Sequence, residues 1–162
     1  MSVEIVVGKE PVTKGRLKTA KRPTTDKNKF MSDLDENAHS LFGAIFSLAE
    51  KQQFVINWGS VGFSLSVDIN DSLVGLLMGY PRSSVFSQTI YTYVPSILLK
   101  VKDGEKLVDS IKQRLSQTGL FMPAGNEMKY VIKQKPTDEQ TETLLKLILD
   151  FADQIKHNGL IE

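Results

Sequence analysis

Val61-Gly62-Phe63-Ser64-Leu65-Ser66-Val67-Asp68-Ile69 is apolar at every odd position and small or polar at every even one. Successive side chains of a strand point to opposite faces. Nine residues of strict alternation therefore specify a strand with one face in a core and one polar face. Asn70-Asp71-Ser72 follows with the residue types of a tight turn. Leu73 to Tyr80 then predicts another strand, apolar on both faces, in which Gly75 and Gly79 allow a close approach or a bulge. Upstream, Phe54, Ile56 and Trp58 share one face of a further strand, joined through Gly59-Ser60. Together these predict an antiparallel meander of three strands.

Helical periodicity flanks the meander. Leu34, Ala38, Leu41, Ile45 and Leu48 recur at three- and four-residue spacing, which predicts a helix over 33–52 with Ser32 as its N-cap. From Ser84 two readings compete. Thr89 to Val94 has strand propensity, whereas Phe86, Ile90, Val94, Ile97 and Val101 form a helical ladder that Pro95 would kink or split. The ladder is longer than an ordinary strand, so a helix is expected there. Leu107, Val108, Ile111 and Leu115 predict the next helix, ended by Gly119, and Met122 to Asn126 reads as a loop. Met128, Tyr130 and Ile132 alternate with Lys129, Val131 and Lys133 as a fourth strand. Thr137 and Gln140 make a capping-box pattern that opens a last helix carrying Leu144, Ile148, Phe151 and Ile155. The expected order is α-β-β-β-α-α-β-α. Clustered strands favour an α+β fold, with helices mainly on one face of the sheet and the Ser64, Ser66, Asp68 face open.

The chain has 162 residues, no cysteine and an ordinary share of hydrophobic side chains. This excludes disulfides, thiolate catalysis and cysteine-ligated metals. No apolar run is long enough to span a membrane, no secretory leader is visible, and a cytoplasmic location is expected. The net charge of +1 hides an asymmetry. Residues 1–30 carry eight basic and three acidic side chains; the remainder is acidic by a surplus of four. Residues 1–29 are expected to be a basic, mostly flexible arm, with a short strand at 3–7 that adds to an edge of this or another copy. Residues 30–162 are expected to be one α+β domain. Lys14, Arg16, Lys18, Lys21 and Arg22 are the candidate nucleic-acid contacts, since each neutralised phosphate strengthens binding.

Candidate chemistry elsewhere is sparse. His39 and His157 lie far apart and share no metal-ligand spacing. Asp68-Ile69-Asn70-Asp71-Ser72 starts like a calcium loop, but Leu73 stands where the sharp turn needs glycine, so a hairpin turn is expected. No Gly-x-Ser-x-Gly elbow and no phosphate-binding glycine loop is present. Arg82, Ser83 and Ser84, set between a strand and an expected helix start, are candidates for holding a phosphate or carboxylate. Trp58, Tyr80, Tyr91 and Tyr93 are candidates for a ligand-facing patch.

Glu127-Met128-Lys129 resembles, over these three residues only, the carboxylate–lysine pair of PD-(D/E)xK nucleases. The resemblance implies a Mg²⁺ ion held by Glu127 and a further aspartate, with Asp68 the candidate, and Lys129 near the attacked phosphate. The expected function is a non-catalytic interaction or regulatory module without cofactor, contacting a protein or nucleic acid through its exposed sheet face and basic arm. A metal-dependent hydrolase or nuclease is the alternative, and a structural homo-oligomer exchanging residues 3–7 is a third.

Overall fold

The structure is a computed structural model and describes residues 23–162. The expected strand at 3–7 and the arm residues Lys14, Arg16, Lys18, Lys21 and Arg22 lie outside the described residues. The elements are α1 (Lys27–Ser32), α2 (Glu36–Gln52), β1 (Val55–Trp58), β2 (Phe63–Ile69), β3 (Ser72–Tyr80) and β4 (Thr89–Thr92). Then follow α3 (Val94–Lys100), α4 (Gly104–Gln117), β5 (Met122–Ala124), β6 (Glu127–Val131) and α5 (Asp138–Asn158). The fold is α+β, with one antiparallel sheet of six strands in the order β1-β2-β3-β4-β6-β5. Among the described residues no helix is long and apolar enough to cross a membrane.

The meander forms as its alternation dictates. Phe63, Leu65 and Val67 enter the core, while Ser64 and Asp68 keep contact with solvent. Asn70 and Asp71, with φ of 52° and 68°, make the two-residue loop between β2 and β3. Positive φ at both positions gives that loop the twist of the strands it joins. Along β3 the register jumps, so that Leu65 opposes Leu77 while Ser66 opposes Gly75. The extra residue, Leu76, is a bulge, and both Leu76 and Leu77 are buried. This is why β3 reads as apolar on both faces. Gly79 is needed because a Cβ there would lie 2.3 Å from the Phe63 ring and 3.0 Å from the Phe42 ring.

Several boundaries differ from expectation. The helix expected over 33–52 forms as α2 over Glu36–Gln52, and a separate short helix, α1, precedes it. Asp26 caps α1 by accepting from the Lys29 N–H, and Asp35, not Ser32, caps α2 by accepting from the Asn37 N–H. Consequently Lys27 to Lys29 are helix rather than arm, and the folded sequence starts before Phe30. The segment 84–101 is neither all helix nor all strand: Thr89–Thr92 is β4, and α3 starts at Val94 with Pro95 in its first turn. Pro95 costs nothing there, because the first turn of a helix has no intrahelical use for its N–H. Met122–Ala124, expected as loop, pairs with Glu127–Met128–Lys129 as β5. The last helix keeps its capping box, with Thr137 and Gln140 each accepting from the other's backbone N–H.

One hydrophobic core joins α1, α2, α4 and α5 to the sheet. Its densest part is aromatic: Phe30, Phe42, Phe46, Phe63 and Trp58 meet at centroid distances of 4.9–6.4 Å. The helices pack mainly on this one face.

Candidate functional site

The strand registers place Met122, Lys129, Tyr91, Met78, Ser64 and Asn57 in one row across the opposite face of the sheet. All six retain some exposure. Tyr80 extends the face along β3. Tyr93 folds over Gly75, where a Cβ would lie 2.4 Å from its ring. Ser66, which opposes Gly75, is therefore not on an open polar face as expected but only 4% exposed.

A groove of about 660 Å³ runs over this face. Ser64, Met78 and Tyr80 line it from the sheet, Tyr93 from the β4–α3 junction, Gly59 to Gly62 from the β1–β2 loop, and Ser83 to Phe86 from the β3–β4 loop. Tyr80, Phe86 and Tyr91 pack ring on ring, with centroids 4.6–5.8 Å apart. Val85 is 95% exposed and Phe86 44%, so the groove wall presents apolar surface to solvent. Burial, helped by the nearby Tyr91, Tyr93 and Glu127, pushes the Tyr80 phenol above its ordinary range. It therefore stays neutral and keeps its O–H as a donor throughout the physiological range. Of the four expected patch aromatics, Tyr80, Tyr91 and Tyr93 belong to this face. Trp58 packs in the phenylalanine cluster and also lines the groove.

The wall is pinned to the α1–α2 junction. Ser83 donates its N–H (3.0 Å) and its hydroxyl (2.6 Å) to the same Asp33 carboxylate oxygen. Buried Gln88 donates to Asp35 (2.7 Å) and to the Ile132 carbonyl (2.9 Å), and accepts from the Asp35 N–H. The Thr89 hydroxyl holds the Phe86 carbonyl at 2.6 Å. The groove wall is thus a braced loop. Gln88, chiefly, holds the Asp35 carboxyl below its ordinary value, with the Asn37 and Ala38 N–H groups and the Arg82 charge adding to the effect. An acid depressed in the folded state stabilises it above the ordinary aspartate value, and that stabilisation is lost as pH falls through the folded value. Asp35→Asn should therefore flatten the loss of stability below about pH 4, measured as urea midpoints across pH 2.5–6; an unchanged acid limb would remove Asp35 from this role.

The same bracing occupies the expected anion site. Ser83 already binds a carboxylate, that of Asp33, and the Ser84 hydroxyl faces the Pro81 and Ser87 carbonyls. No helix starts at Ser84, since the chain runs through turns into β4, and exposed Arg82 stands near the Asp35 carboxyl. An incoming anion would meet two acids rather than free donors.

Asp68, Glu127 and Lys129 are not brought together. Asp68 sits on β2 at the hairpin and accepts from the Asp71 N–H at 2.9 Å. Two strands, β3 and β4, separate β2 from β6. Three inter-strand spacings amount to about 14 Å, whereas carboxylates sharing a Mg²⁺ each lie about 2 Å from it. Glu127 accepts from the Thr92 hydroxyl (2.5 Å) and from the Val94 N–H (3.0 Å). The Thr92 oxygen in turn accepts from the Met128 N–H at 2.9 Å. Glu127 thus caps α3 from another strand, where Tyr93 offers no side-chain cap. Lys129 lies on the outer row beside Tyr91. His39 and His157 are exposed on α2 and α5, and among the described residues no three histidine or acidic side chains form a metal-holding group.

Sequence reasoning missed Val85 and Phe86. Their signal was an apolar pair inside the serine-rich run Ser83 to Ser87. Compared with known proteins, the chain matches no family model, no curated protein and no solved structure.

Proposed function

We propose that the chain is a non-catalytic interaction module, cytoplasmic in location, that takes a partner segment with apolar side chains in the outer groove. The observation that supports this reading is the groove wall itself: Val85 and Phe86 stand exposed on a loop braced from both ends. Phe86 packs one side of its ring on Tyr80 and Tyr91 and leaves the rest to solvent, while Val85 is almost wholly exposed and gains nothing for the fold. Such patches mark binding surfaces in soluble domains. A photoreactive residue at position 85 should give adducts with a second polypeptide in cells, and Tyr80→Asp in the groove floor should cut their yield about tenfold, a loss of ~1.4 kcal/mol. The same group at exposed Glu142 on α5 should give none. Equal yields from the two positions would remove the reading.

A second reading rests on the charge surplus of residues 1–30. In it the module also contacts nucleic acid through Lys14, Arg16, Lys18, Lys21 and Arg22. If all five meet phosphates, log K should fall with log salt at a slope of about −4. Neutralising the five should abolish that dependence in a filter assay with labelled single-stranded and duplex probes. Cleavage in a parallel Mg²⁺ arm would favour the nuclease alternative instead.

A further inference from the structure

We propose that the chain holds a phosphate group in a second cleft, through the Tyr130 phenol and the Lys133 and Lys135 ammonium groups. The cleft, of about 380 Å³, lies where the chain leaves α4 and β6 and enters α5. Leu120, Tyr130, Val131, Lys133, Lys135 and Gln140 line it, and it shares no residue with the outer groove. The phenol is what sets this cleft apart. Tyr130 is 6% exposed, and its ring packs on that of Phe121 at 5.6 Å. A phenylalanine would pack as well, so the hydroxyl is extra to the core. Buried hydroxyls ordinarily find a partner, yet this one has no hydrogen bond among the described residues. Burial alone pushes its pKa up, with neither a hydrogen bond nor a charge contributing. The phenol therefore stays neutral through the physiological range and keeps its O–H as a donor. What exposure Tyr130 retains opens on the cleft it lines.

The surroundings select a negative charge. Lys133 and Lys135 are exposed, no acidic side chain lines the cleft, and neither lysine pairs with an acid among the described residues. Asp138 and Glu139, in the first turn of α5, stand outside the lining. Gln140 gives its side-chain oxygen to the Thr137 N–H, which leaves its amide N–H groups as donors. The backbone that carries Lys133 is held from its other side, where the Ile132 carbonyl accepts from Gln88 at 2.9 Å and the Lys133 carbonyl from Asn37 at 3.2 Å. Here, unlike at Ser83, the donors are not already taken. Two point charges with a phenol and an amide suit the several oxygens of a phosphate. A carboxylate is better matched by the planar fork of an arginine, and no arginine lines the cleft. Leu120 and Val131 offer apolar contact to whatever group the phosphate carries.

The test titrates full-length protein with inorganic phosphate, phenyl phosphate and benzoate, followed by amide NMR shifts. Both phosphates should move the Leu120 and Val131 amides and the Gln140 side-chain amide, with benzoate at least about tenfold weaker than phenyl phosphate. Tighter binding of phenyl phosphate than of the inorganic ion would identify a phosphate ester as the ligand, and equal binding would identify free phosphate; either supports the site. Tyr130→Phe should weaken binding about tenfold or more, the ordinary loss of a hydrogen bond to a charged group. Its urea midpoint in phosphate-free buffer should be unchanged or raised. Lys133→Gln/Lys135→Gln should abolish binding, whereas Lys129→Gln, on the outer row of the same strand, should leave it intact. No response from the wild type, or benzoate binding as tightly as phenyl phosphate, would overturn the proposal. So would a Tyr130→Phe variant that binds like the wild type, which would leave only loose attraction to surface lysines. A lowered midpoint for Tyr130→Phe would show that the hydroxyl already serves the fold, and would overturn it too.

Discussion

Phe30→Ala should destabilise the protein by about 3–5 kcal/mol, the ordinary loss for a buried phenylalanine. Phe30 is 1% exposed, and its ring meets those of Phe42, Phe63, Trp58 and Phe46 at 4.9, 5.2, 5.7 and 5.8 Å. It is the sole buried residue of α1, a helix of six residues. So short a helix has no stability of its own. Its formation depends on this anchor, with partly buried Met31 beside it, and on the Asp26 cap, so removing the ring leaves a cavity and loosens the helix together. Total stability of such a domain is about 5–15 kcal/mol, so the variant should approach its folding threshold. Guanidinium unfolding should show the loss as a shifted midpoint at nearly unchanged slope. A loss below about 1 kcal/mol would mean that α2 and β2 close the gap without α1. A chain started at Phe30 should fare nearly as badly, because it loses the Asp26 cap and the Thr25–Gly59 bond.

Which parts of the fold were legible follows from how each is determined. The β2 alternation, the Asn70-Asp71 turn, the α2 ladder and the Thr137–Gln140 box are local patterns, and each formed. Six-residue α1 and three-residue β5 are too short to show a period. The 84–101 stretch misled for a different reason. Ile90, Val94, Ile97 and Val101 are buried, whereas Phe86, the first member of the ladder, is 44% exposed. The backbone nevertheless changes from strand to helix at Tyr93, because β4 pairs with β3 and β6 on either side. Tertiary pairing overrode the helical spacing over its first half, and only the part from Val94 onward became helix. The site was legible as residue types but not as an assembly. Tyr91 becomes a neighbour of Met78 and Tyr80 only through strand register. Ser83 finds Asp33 across fifty positions, and Glu127 finds Thr92 across thirty-five.

That last pairing is the sharpest contrast between two accounts of one residue. If Glu127 is the cap of α3, Glu127→Ala should cost about 2–4 kcal/mol, since hydrogen bonds to a charged group are worth about 1.5–3 kcal/mol and a buried donor is left behind. Thr92 is 2% exposed and its hydroxyl would have lost its acceptor. Pro95 supplies no N–H, so Val94 is the donor that Glu127 takes at the start of α3, and no other side chain caps it. Glu127→Gln keeps an acceptor oxygen in place and forfeits only the charge, so it should cost about 1 kcal/mol. Amide exchange at Val94 supplies a readout that global stability does not: protection should fall in Glu127→Ala and largely persist in Glu127→Gln. A metal-holding carboxylate predicts the reverse order of consequences. There, Glu127→Gln would abolish Mg²⁺-dependent cleavage with stability unchanged within about 0.5 kcal/mol, as for a surface change. The cap account requires the alanine variant to be the damaged one, and damaged at α3.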